Sequence, residues 1–198
     1  MKIYEDIVQQ SPEWFYIRRL KMSASHANAI MTGGQGLKTY INNLISDYFN
    51  TESEKFTSPD IERGILLEDQ ARTMYELENN VVVKEVGFVE LDKYVGVSPD
   101  GLVGDDGLIE IKNHKESVFI DLLLTEKIDK KYYDQIQMQL YVTGRKWCDY
   151  IGYNSKIKPH RFIQRIYPDP ESFKALEKGL NIGRELLEKY IKVAGIEV

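Results

Sequence analysis

The sequence has little cysteine, and it lacks any long apolar run. Its single cysteine, Cys148, cannot form an intramolecular disulfide, which is typical of proteins in a reducing compartment. No stretch reaches the roughly 20 apolar residues that a membrane-spanning helix needs, and the first residues do not have the layout of a signal peptide. These absences argue against a disulfide-stapled secreted protein and against a membrane protein, and they predict a cytoplasmic location.

The sequence also has fewer basic than acidic residues. The 26 lysines and arginines are outnumbered by 31 aspartates and glutamates, which gives a net charge of −5. This balance argues against a protein that coats nucleic acid through its overall charge. It does not exclude an enzyme that acts on nucleic acid, because catalytic acids add negative charge while basic side chains can line a single groove. Basic residues do cluster, at positions 18–21, 127–131 and 156–165.

One stretch contains acidic and basic residues that could form a catalytic site. Ser-Pro-Asp-Gly at 98–101 is followed by Glu-Ile-Lys at 110–112. Strand alternation puts Glu110 and Lys112 on one face and the neighbouring isoleucines on the other. Burying charged groups together is costly unless a ligand binds there, and two carboxylates suit a magnesium-type cation. The lysine could then orient or help to deprotonate a metal-bound water, or stabilise an anionic transition state.

An ordinary structural interpretation competes with this one. Pro-Asp-Gly is a common turn sequence, and Glu-x-Lys on an edge strand is often a solvent-exposed face. The combination favours a site, because strands at 94–98 and 108–113 are predicted to form a hairpin across the Gly/Asp-rich link 101–107. That hairpin would bring Asp100 beside Glu110.

The rest of the chain predicts an α/β protein. Helices are expected before the hairpin, and helices, two strands and a last helix after it. Positions 33–36 predict a glycine-rich loop and 51–59 a flexible segment. This order indicates one domain, residues 1–198, with a mixed central β-sheet flanked by α-helices. The expected helices span 12–20, 24–31, 37–49, 60–78, 117–125, 129–143 and 169–193, and the expected strands 81–91, 94–98, 108–113, 147–153 and 161–167.

Pro-Asp followed by Glu-x-Lys resembles the motif of the PD-(D/E)XK nuclease superfamily. The fuller Ser-Pro-Asp-Gly form is similar to the lambda-type phage exonucleases, a family of alkaline exonucleases and viral recombinases. Further blocks follow in that family's order and spacing. They are Trp14-x3-Arg18 with Ser23-Ala24-Ser25, then Gly64-x3-Glu68-x3-Arg72, and finally Gln135-Ile136-Gln137.

The resemblance implies a restriction-endonuclease-like core and a definite activity. It implies a Mg²⁺-dependent 5′→3′ exonuclease that degrades one strand of linear double-stranded DNA and leaves 3′ overhangs for phage-type recombination. Two magnesium ions per site are implied, with Mn²⁺ as a substitute. The implied partners are two further copies of the chain in a ring-shaped trimer and a single-strand annealing protein. The location would be the host cytoplasm if the chain is encoded by a phage or prophage.

The resemblance also implies roles at the metal site. Asp100 and Glu110 would be metal ligands, and Glu68 a further acid near the metals. Ile111 is expected to add its carbonyl oxygen, because its side chain turns away from the site. The implied catalytic residues are Asp100, Glu110, Lys112 and Glu68, with Gln137 at the scissile region.

A second set of residues is expected to hold phosphate. The family implies this role for Arg18, Ser25 and Ser98. Taken with the resemblance, the residues predict a pocket for a terminal 5′-phosphate, because Ser23 and Ser25 open a predicted helix and the guanidinium of Arg18 matches phosphate oxygens. Without the resemblance, Ser23 would be a helix cap and Arg18 a surface cation. The histidines, His26 among them, have no motif role.

Two other functions remain open from the sequence. The motif alone does not separate an exonuclease from an endonuclease or junction resolvase of the same superfamily. A non-catalytic DNA-binding subunit that kept the fold is a further alternative, which the presence of all the acids and the lysine disfavours. The Arg18/Ser25 block and the glutamine pair favour the exonuclease.

Overall fold

The computed structural model describes residues 1–50 and 59–197. It has the mixed α/β class that the sequence predicts, with two β-sheets and helices packed on them. The strands are β1 Lys2–Tyr4, β2 Val83–Lys84, β3 Phe88–Asp92, β4 Val95–Val97, β5 Gly101–Val103, β6 Gly107–Asn113, β7 Trp147–Tyr153 and β8 Arg161–Ile166. The α-helices are α1 Pro12–Ile17, α2 Ala27–Thr32, α3 Gly34–Phe49, α4 Pro59–Asn79, α5 Glu116–Thr125, α6 Lys130–Thr143 and α7 Pro170–Ala194, and a 3-10 helix at Ala24–His26 precedes α2.

The larger sheet is mixed and has five strands, in the order β2-β5-β6-β7-β8. Only the β6–β7 pair is parallel, while the other neighbours in this sheet are antiparallel. The parallel pair requires a crossover between β6 and β7, and α5 and α6 supply it. The smaller sheet is antiparallel, in the order β1-β3-β4.

The two faces of the five-stranded sheet meet different helices. On one face, Ile109 and Ile111 of β6 share a buried apolar cluster with Ala71 and Tyr75 of α4. On the other face, Leu108 belongs to the main core, which α2, α3, α6 and α7 complete. The predicted alternation along β6 is therefore confirmed. Because apolar residues seal both faces, a charged side chain in the middle of β6 is cut off from water unless it lies at an opening.

Strand pairing differs from the prediction in two places. The expected strand 81–91 is two strands, and β2 and β3 belong to different sheets. The expected hairpin is also wrong, because β4 pairs with β3 and the partner of β6 is β5, which lies inside the predicted link. The turn from β5 to β6 is short and includes Gly104 at φ 52°. Asp100 still lies beside β6, since Gly101 is paired with Ile109.

The helix predictions agree more closely. Helices α3 to α7 lie within a few residues of their expected bounds, and Ser11, Asp129 and Asp169 are N-caps whose side chains accept backbone N–H groups. Helix α1 ends earlier than predicted, before Leu20 at φ 56°. The predicted loop at 33–36 is mostly the first turn of α3. The prediction of flexibility at 51–59 falls outside the described residues except for Pro59, which begins α4.

A search of the described helices for a membrane span was negative: none combines the required length with enough apolar character.

Candidate active site

Three carboxylates lie near one another beside the middle of β6. Asp100 precedes β5, Glu110 is in the middle of β6, and Glu68 comes from α4. Asp100 accepts a hydrogen bond from the Ile111 amide, 2.6 Å from N to Oδ2. Burial raises the pKa of Asp100 well above its usual value, and the nearby Glu110 carboxylate raises it further. Burial also raises the pKa of Glu68, although Arg72 opposes the shift. The three acids are therefore close enough to repel one another.

Lys112 lies on the same strand face as Glu110 and forms an ion pair with its Oε1. Burial by itself would lower the pKa of Lys112, but the Glu110 and Asp100 carboxylates outweigh burial and raise it. In the protein alone, Lys112 is therefore a cation at neutral pH. About a quarter of its side chain is exposed, 24%.

Two glutamines hold Glu110 in place: Gln135, which the sequence placed in a motif block without a role, and Gln139, which is outside that block. The Glu110 side chain has no exposed surface. Gln135 donates to its Oε1 and Gln139 to its Oε2, each at 2.6 Å. Residues four apart lie on the same face of a helix, so α6 presents both amides to a single carboxylate. In the sequence, the four-residue spacing of Gln135 and Gln139 within the predicted helix 129–143 was the feature that could have indicated this pair.

Gln137, predicted at the scissile region, lies elsewhere. Its amide donates to the Tyr167 carbonyl and accepts from the Asp169 N–H, both at 2.9 Å. The side chain is fully buried between α6 and the start of α7. At about 100° per residue, position 137 lies on the opposite side of α6 from 135 and 139. The geometry therefore corrects the prediction, and Gln135 and Gln139 are the glutamines at the acids.

The donor set of this cluster suits a hard divalent cation. Within residues 1–50 and 59–197, no three metal-ligating side chains are already gathered about one point. Asp100 and Glu68 each use one oxygen for a protein donor, and the second oxygen of each has no donor in the same residues. Magnesium prefers carboxylate oxygens, and a cation among these acids would remove their repulsion. The residues present fit such an ion.

An acidic cleft leads to the acids. Glu68 and Asp100 line it together with the amino-terminal segment 5–10, in which Gln9 donates to the carbonyls of Val86 and Pro99 at 2.9 and 3.0 Å. The amino-terminal segment thus holds the turn that carries Asp100. The other charged residues of this cleft are Glu5, Asp6, Asp69, Arg72 and Glu85. A phosphate group entering such a cleft would be repelled unless cations neutralised the acids.

Arg18 lies in a second pocket, and Trp14 connects it to the segment that precedes Asp100. Its guanidinium is 3.7 Å from the centre of the Trp14 ring. Trp14 Nε1 is 2.9 Å from Ser98 Oγ and donates to the Gly87 carbonyl at the same distance. Ser98 is two residues before Asp100. The structure therefore brings Arg18 and Ser98 to the same tryptophan, close to the turn that carries Asp100.

Ser23 and Ser25 form a hydroxyl cluster beside Arg18. Ser23 Oγ is 3.2 Å from Ser25 Oγ and 3.3 Å from the Tyr40 hydroxyl. Ser23 occupies the N-cap position of the 3-10 helix but makes no side-chain capping bond. The expected role of a serine as a helix cap is therefore wrong, because the hydroxyl bonds across to α3. Six-residue α2 starts only after this 3-10 helix, so the serines do not lie at the N-terminus of a long helix.

The Arg18 guanidinium is a cation without a counter-charge among residues 1–50 and 59–197. Burial lowers its pKa, and the Tyr40 hydroxyl, not a carboxylate, opposes that shift. A partly buried guanidinium with unused donors is an anion-binding group. Arg18, Ser23 and Tyr40 line the same pocket, so the hydroxyl groups and the guanidinium face a common space.

Comparisons with known proteins identify the family and the fold. The model of the YqaJ-like viral recombinase domain matches residues 13–146. The fold is similar to the crystal structure of an alkaline exonuclease from Laribacter hongkongensis, with a TM-score of 0.84 and 33% identity over 93% of this chain and 96% of that one. The complex of that enzyme with dAMP gives the same values. A phage related exonuclease from Haemophilus somnus has the same fold, with a TM-score of 0.66 and 13% identity over 90% of this chain and 98% of that one. No curated protein matches the sequence significantly.

We expect Asp100→Asn to raise the free energy of unfolding of the metal-free protein by roughly 0.5–2 kcal/mol, the usual gain when a strained functional group is removed. The pKa of Asp100 is raised in the folded protein. Its charged form therefore destabilises the fold, and this cost appears as pH rises above the unfolded-state pKa of about 3.9. Urea unfolding in EDTA should show the largest difference at pH 8 and little difference near pH 4.

Asp105→Asn is the matched control, because Asp105 is an exposed acid in the turn between β5 and β6. It should leave the stability unchanged. Millimolar magnesium should raise the unfolding midpoint of wild type and of the control, but not that of Asp100→Asn, because an ion that binds only the native state stabilises it. A wild-type midpoint that magnesium does not move would count against the metal site.

Proposed function

The chain belongs to the family of YqaJ-like viral recombinase domains, and we propose that it is a magnesium-dependent exonuclease that digests one strand of linear double-stranded DNA from the 5′ end. Its fold is restriction-endonuclease-like, and it acts as a single nuclease domain that leaves 3′ overhangs for phage-type recombination. The observation that carries the proposal is a short series of contacts between two pockets. The unpaired guanidinium of Arg18 lies over the Trp14 ring, and Trp14 donates to Ser98, two residues before Asp100 of the acid cluster.

Asp100, Glu110 and Glu68 would hold the metal, with the Ile111 carbonyl as a further ligand. The mutual repulsion of the acids and the acidity of their cleft support this role. Two magnesium ions, or manganese in their place, would neutralise the phosphodiester, lower the pKa of a water molecule and stabilise the leaving oxygen. Ile111 can take part through its backbone because its side chain is buried against α4.

The remaining residues of the cluster orient the Glu110 carboxylate or stabilise the transition state. Gln135 and Gln139 keep the Glu110 carboxylate in one orientation, since each donates to a different oxygen. Lys112 carries the positive charge that an anionic transition state requires, and its partial exposure lets it face the substrate. Gln137 has a structural role, because it joins α6 to the start of α7.

Arg18, Ser23, Ser25 and Ser98 hold the terminal 5′-phosphate. A terminal phosphate carries a charge of about −1.5 to −2 at neutral pH, more than an internal phosphodiester, so it is the better partner for a buried guanidinium. The Trp14–Ser98 hydrogen bond sets the distance from this pocket to Asp100. A nucleotide whose phosphate occupies the pocket would therefore present its 3′ side to the acids.

The decisive experiment follows a linear duplex labelled separately at each 5′ and 3′ end, with a nicked circle as a second substrate. Loss of the 5′ label before the 3′ label, with the circle intact, is the expected result in magnesium. Cutting of the circle away from the nick would identify an endonuclease instead. Absence of cleavage in both magnesium and manganese would indicate a non-catalytic DNA-binding protein.

Lys112→Ala should lower kcat by about 10²-fold or more, the usual effect of removing a group that stabilises a transition state. Asp100→Ala and Glu110→Gln should abolish cleavage. Calcium should support DNA binding without turnover, because its looser coordination suits the acids but positions water poorly. The control is Lys115→Ala, which removes an exposed lysine three positions along the chain. Near-normal turnover in Lys112→Ala would reject the role of the lysine.

Arg18→Ala should reduce the preference for 5′-phosphorylated over 5′-hydroxyl ends by about tenfold or more, since it removes a charge-assisted bidentate contact. Initial rates on matched duplexes with and without the phosphate measure the preference. Lys38→Ala is the control, because Lys38 is an exposed basic residue of α3 that does not line this pocket. If Arg18→Ala keeps the full preference, another group holds the phosphate.

We also propose a ring-shaped homotrimer around DNA and a single-strand annealing protein as partner. A ring retains DNA by its topology, so a chain with a net charge of −5 would need basic residues only along the channel. Light scattering should give the mass of three chains at working concentrations. A monomeric mass throughout that range would reject the ring.

A further inference from the structure

His26 has a fixed place in the Arg18 pocket. Its ring is stacked on Tyr40, with centroids 3.9 Å apart and planes 9° apart. Its Nδ1 is 3.2 Å from Ser25 Oγ, and the ring lines the same space as Arg18 and Ser23. The other ring nitrogen, Nε2, has no hydrogen-bond partner in residues 1–50 and 59–197. The imidazole is thus oriented by two contacts and keeps one nitrogen for a ligand.

Titratable and charged side chains face His26 from several elements. Arg18 faces it from the end of α1, and Tyr40 and Asp47 face it from α3. Arg19 and Lys21 also line the pocket, but Lys21 is paired with Glu90 of β3. Burial is the main cause that lowers the pKa of His26, repulsion from Arg18 adds to it, and Asp47 opposes it. The pocket without an anion therefore holds a neutral imidazole beside a guanidinium.

We propose that His26 is a specificity residue of the terminal-phosphate pocket, which takes up a proton from solvent when the phosphate binds and donates a hydrogen bond to it as imidazolium. This inference rests on the proposed function of the Arg18 pocket. Tyr40 is a positioning residue, because its ring supports the imidazole and its hydroxyl accepts from the Ser23 amide at 2.9 Å. Without a ligand, a charged His26 would be repelled by Arg18. A bound phosphate dianion attracts both cations, so it favours the protonated form of His26.

The gain is selectivity for an end over the middle of a strand. An internal phosphodiester carries one negative charge, which Arg18 alone can match. A terminal phosphate monoester approaches two negative charges at neutral pH. A second cation in the pocket therefore strengthens the binding of the terminal phosphate more than that of an internal one. His26 is suited to the task because it adds that charge only when the ligand is present. A second permanent cation would instead favour every phosphate of the backbone.

The consequence is a preference for phosphorylated ends that weakens as pH rises. Binding linked to proton uptake loses affinity once the pH exceeds the pKa of His26 in the complex. The second ionisation of the phosphate, near pH 6, acts in the opposite direction. That ionisation is nearly complete above pH 7. A change in the preference for phosphorylated ends between pH 7 and 9 therefore comes from a group of the protein.

The test measures binding and not cleavage. Fluorescence anisotropy in EDTA gives the affinities for matched short duplexes with a 5′-phosphate or a 5′-hydroxyl, from pH 7 to 9. For wild type we expect the affinity ratio to fall by about tenfold over this range, the size of one charge-assisted hydrogen bond. His26→Gln keeps a hydrogen-bonding side chain for Ser25 but cannot be charged, and its ratio should be low and independent of pH. His160→Gln, in the connection between β7 and β8, is the control and should behave as wild type.

A wild-type preference that stays constant from pH 7 to 9 would overturn the proposal. A His26→Gln variant with the wild-type slope would do the same. Neither result bears on the exonuclease itself, which the end-labelled digestion in magnesium tests separately with the wild-type protein. His26 is exposed at the surface, and an unchanged thermal midpoint of His26→Gln verifies that the variant is folded.

Discussion

A carboxylate with no exposed surface, that of Glu110, is the constraint on which the rest of the site depends. A buried charge is costly unless several donors surround it. Here Lys112 and the amides of Gln135 and Gln139 supply them. Both amides come from α6, so that helix must lie across β6 with one face turned to the acid. The packing of α6 and the order of the central strands are therefore tied to one charged group.

The site keeps several like charges together at the expense of stability. Asp100 and Glu68 have raised pKa values because burial and their neighbours disfavour the charged form. A core selected for stability alone would not hold these acids. The structure tolerates them because the sheet behind is well packed, with Ile109 and Ile111 buried against α4. The apolar cluster between α4 and β6 thus supports both the helix that carries Glu68 and the strand that carries Glu110.

Short contacts connect the acid cluster to the guanidinium pocket. Trp14 stacks on Arg18 and bonds to Ser98, and Gln9 bonds to the Pro99 carbonyl. The segment from Ser98 to Asp100 thus has its position set from both sides. A terminal phosphate in one pocket and a metal ion in the other would be held at a constant spacing. An enzyme that removes nucleotides one at a time from an end needs such a spacing, because each new end must reach the same place.

The sequence by itself determined the features that depend on neighbours along the chain. Alternation in β6 separated Glu110 and Lys112 from the isoleucines, helical periodicity predicted α3 to α7, and motif spacing indicated the acids. The partners of those elements were decided only by the tertiary structure. Whether β6 pairs with β4 or β5, and whether Gln137 or its neighbours meet Glu110, depends on which surfaces of distant segments are buried together. Ser23 likewise serves Tyr40 rather than its own helix, and His26 gains a setting only when α3 packs beside it. Local patterns specify which face of an element is apolar, but they do not specify what that face will meet, because burial is shared between segments far apart in sequence.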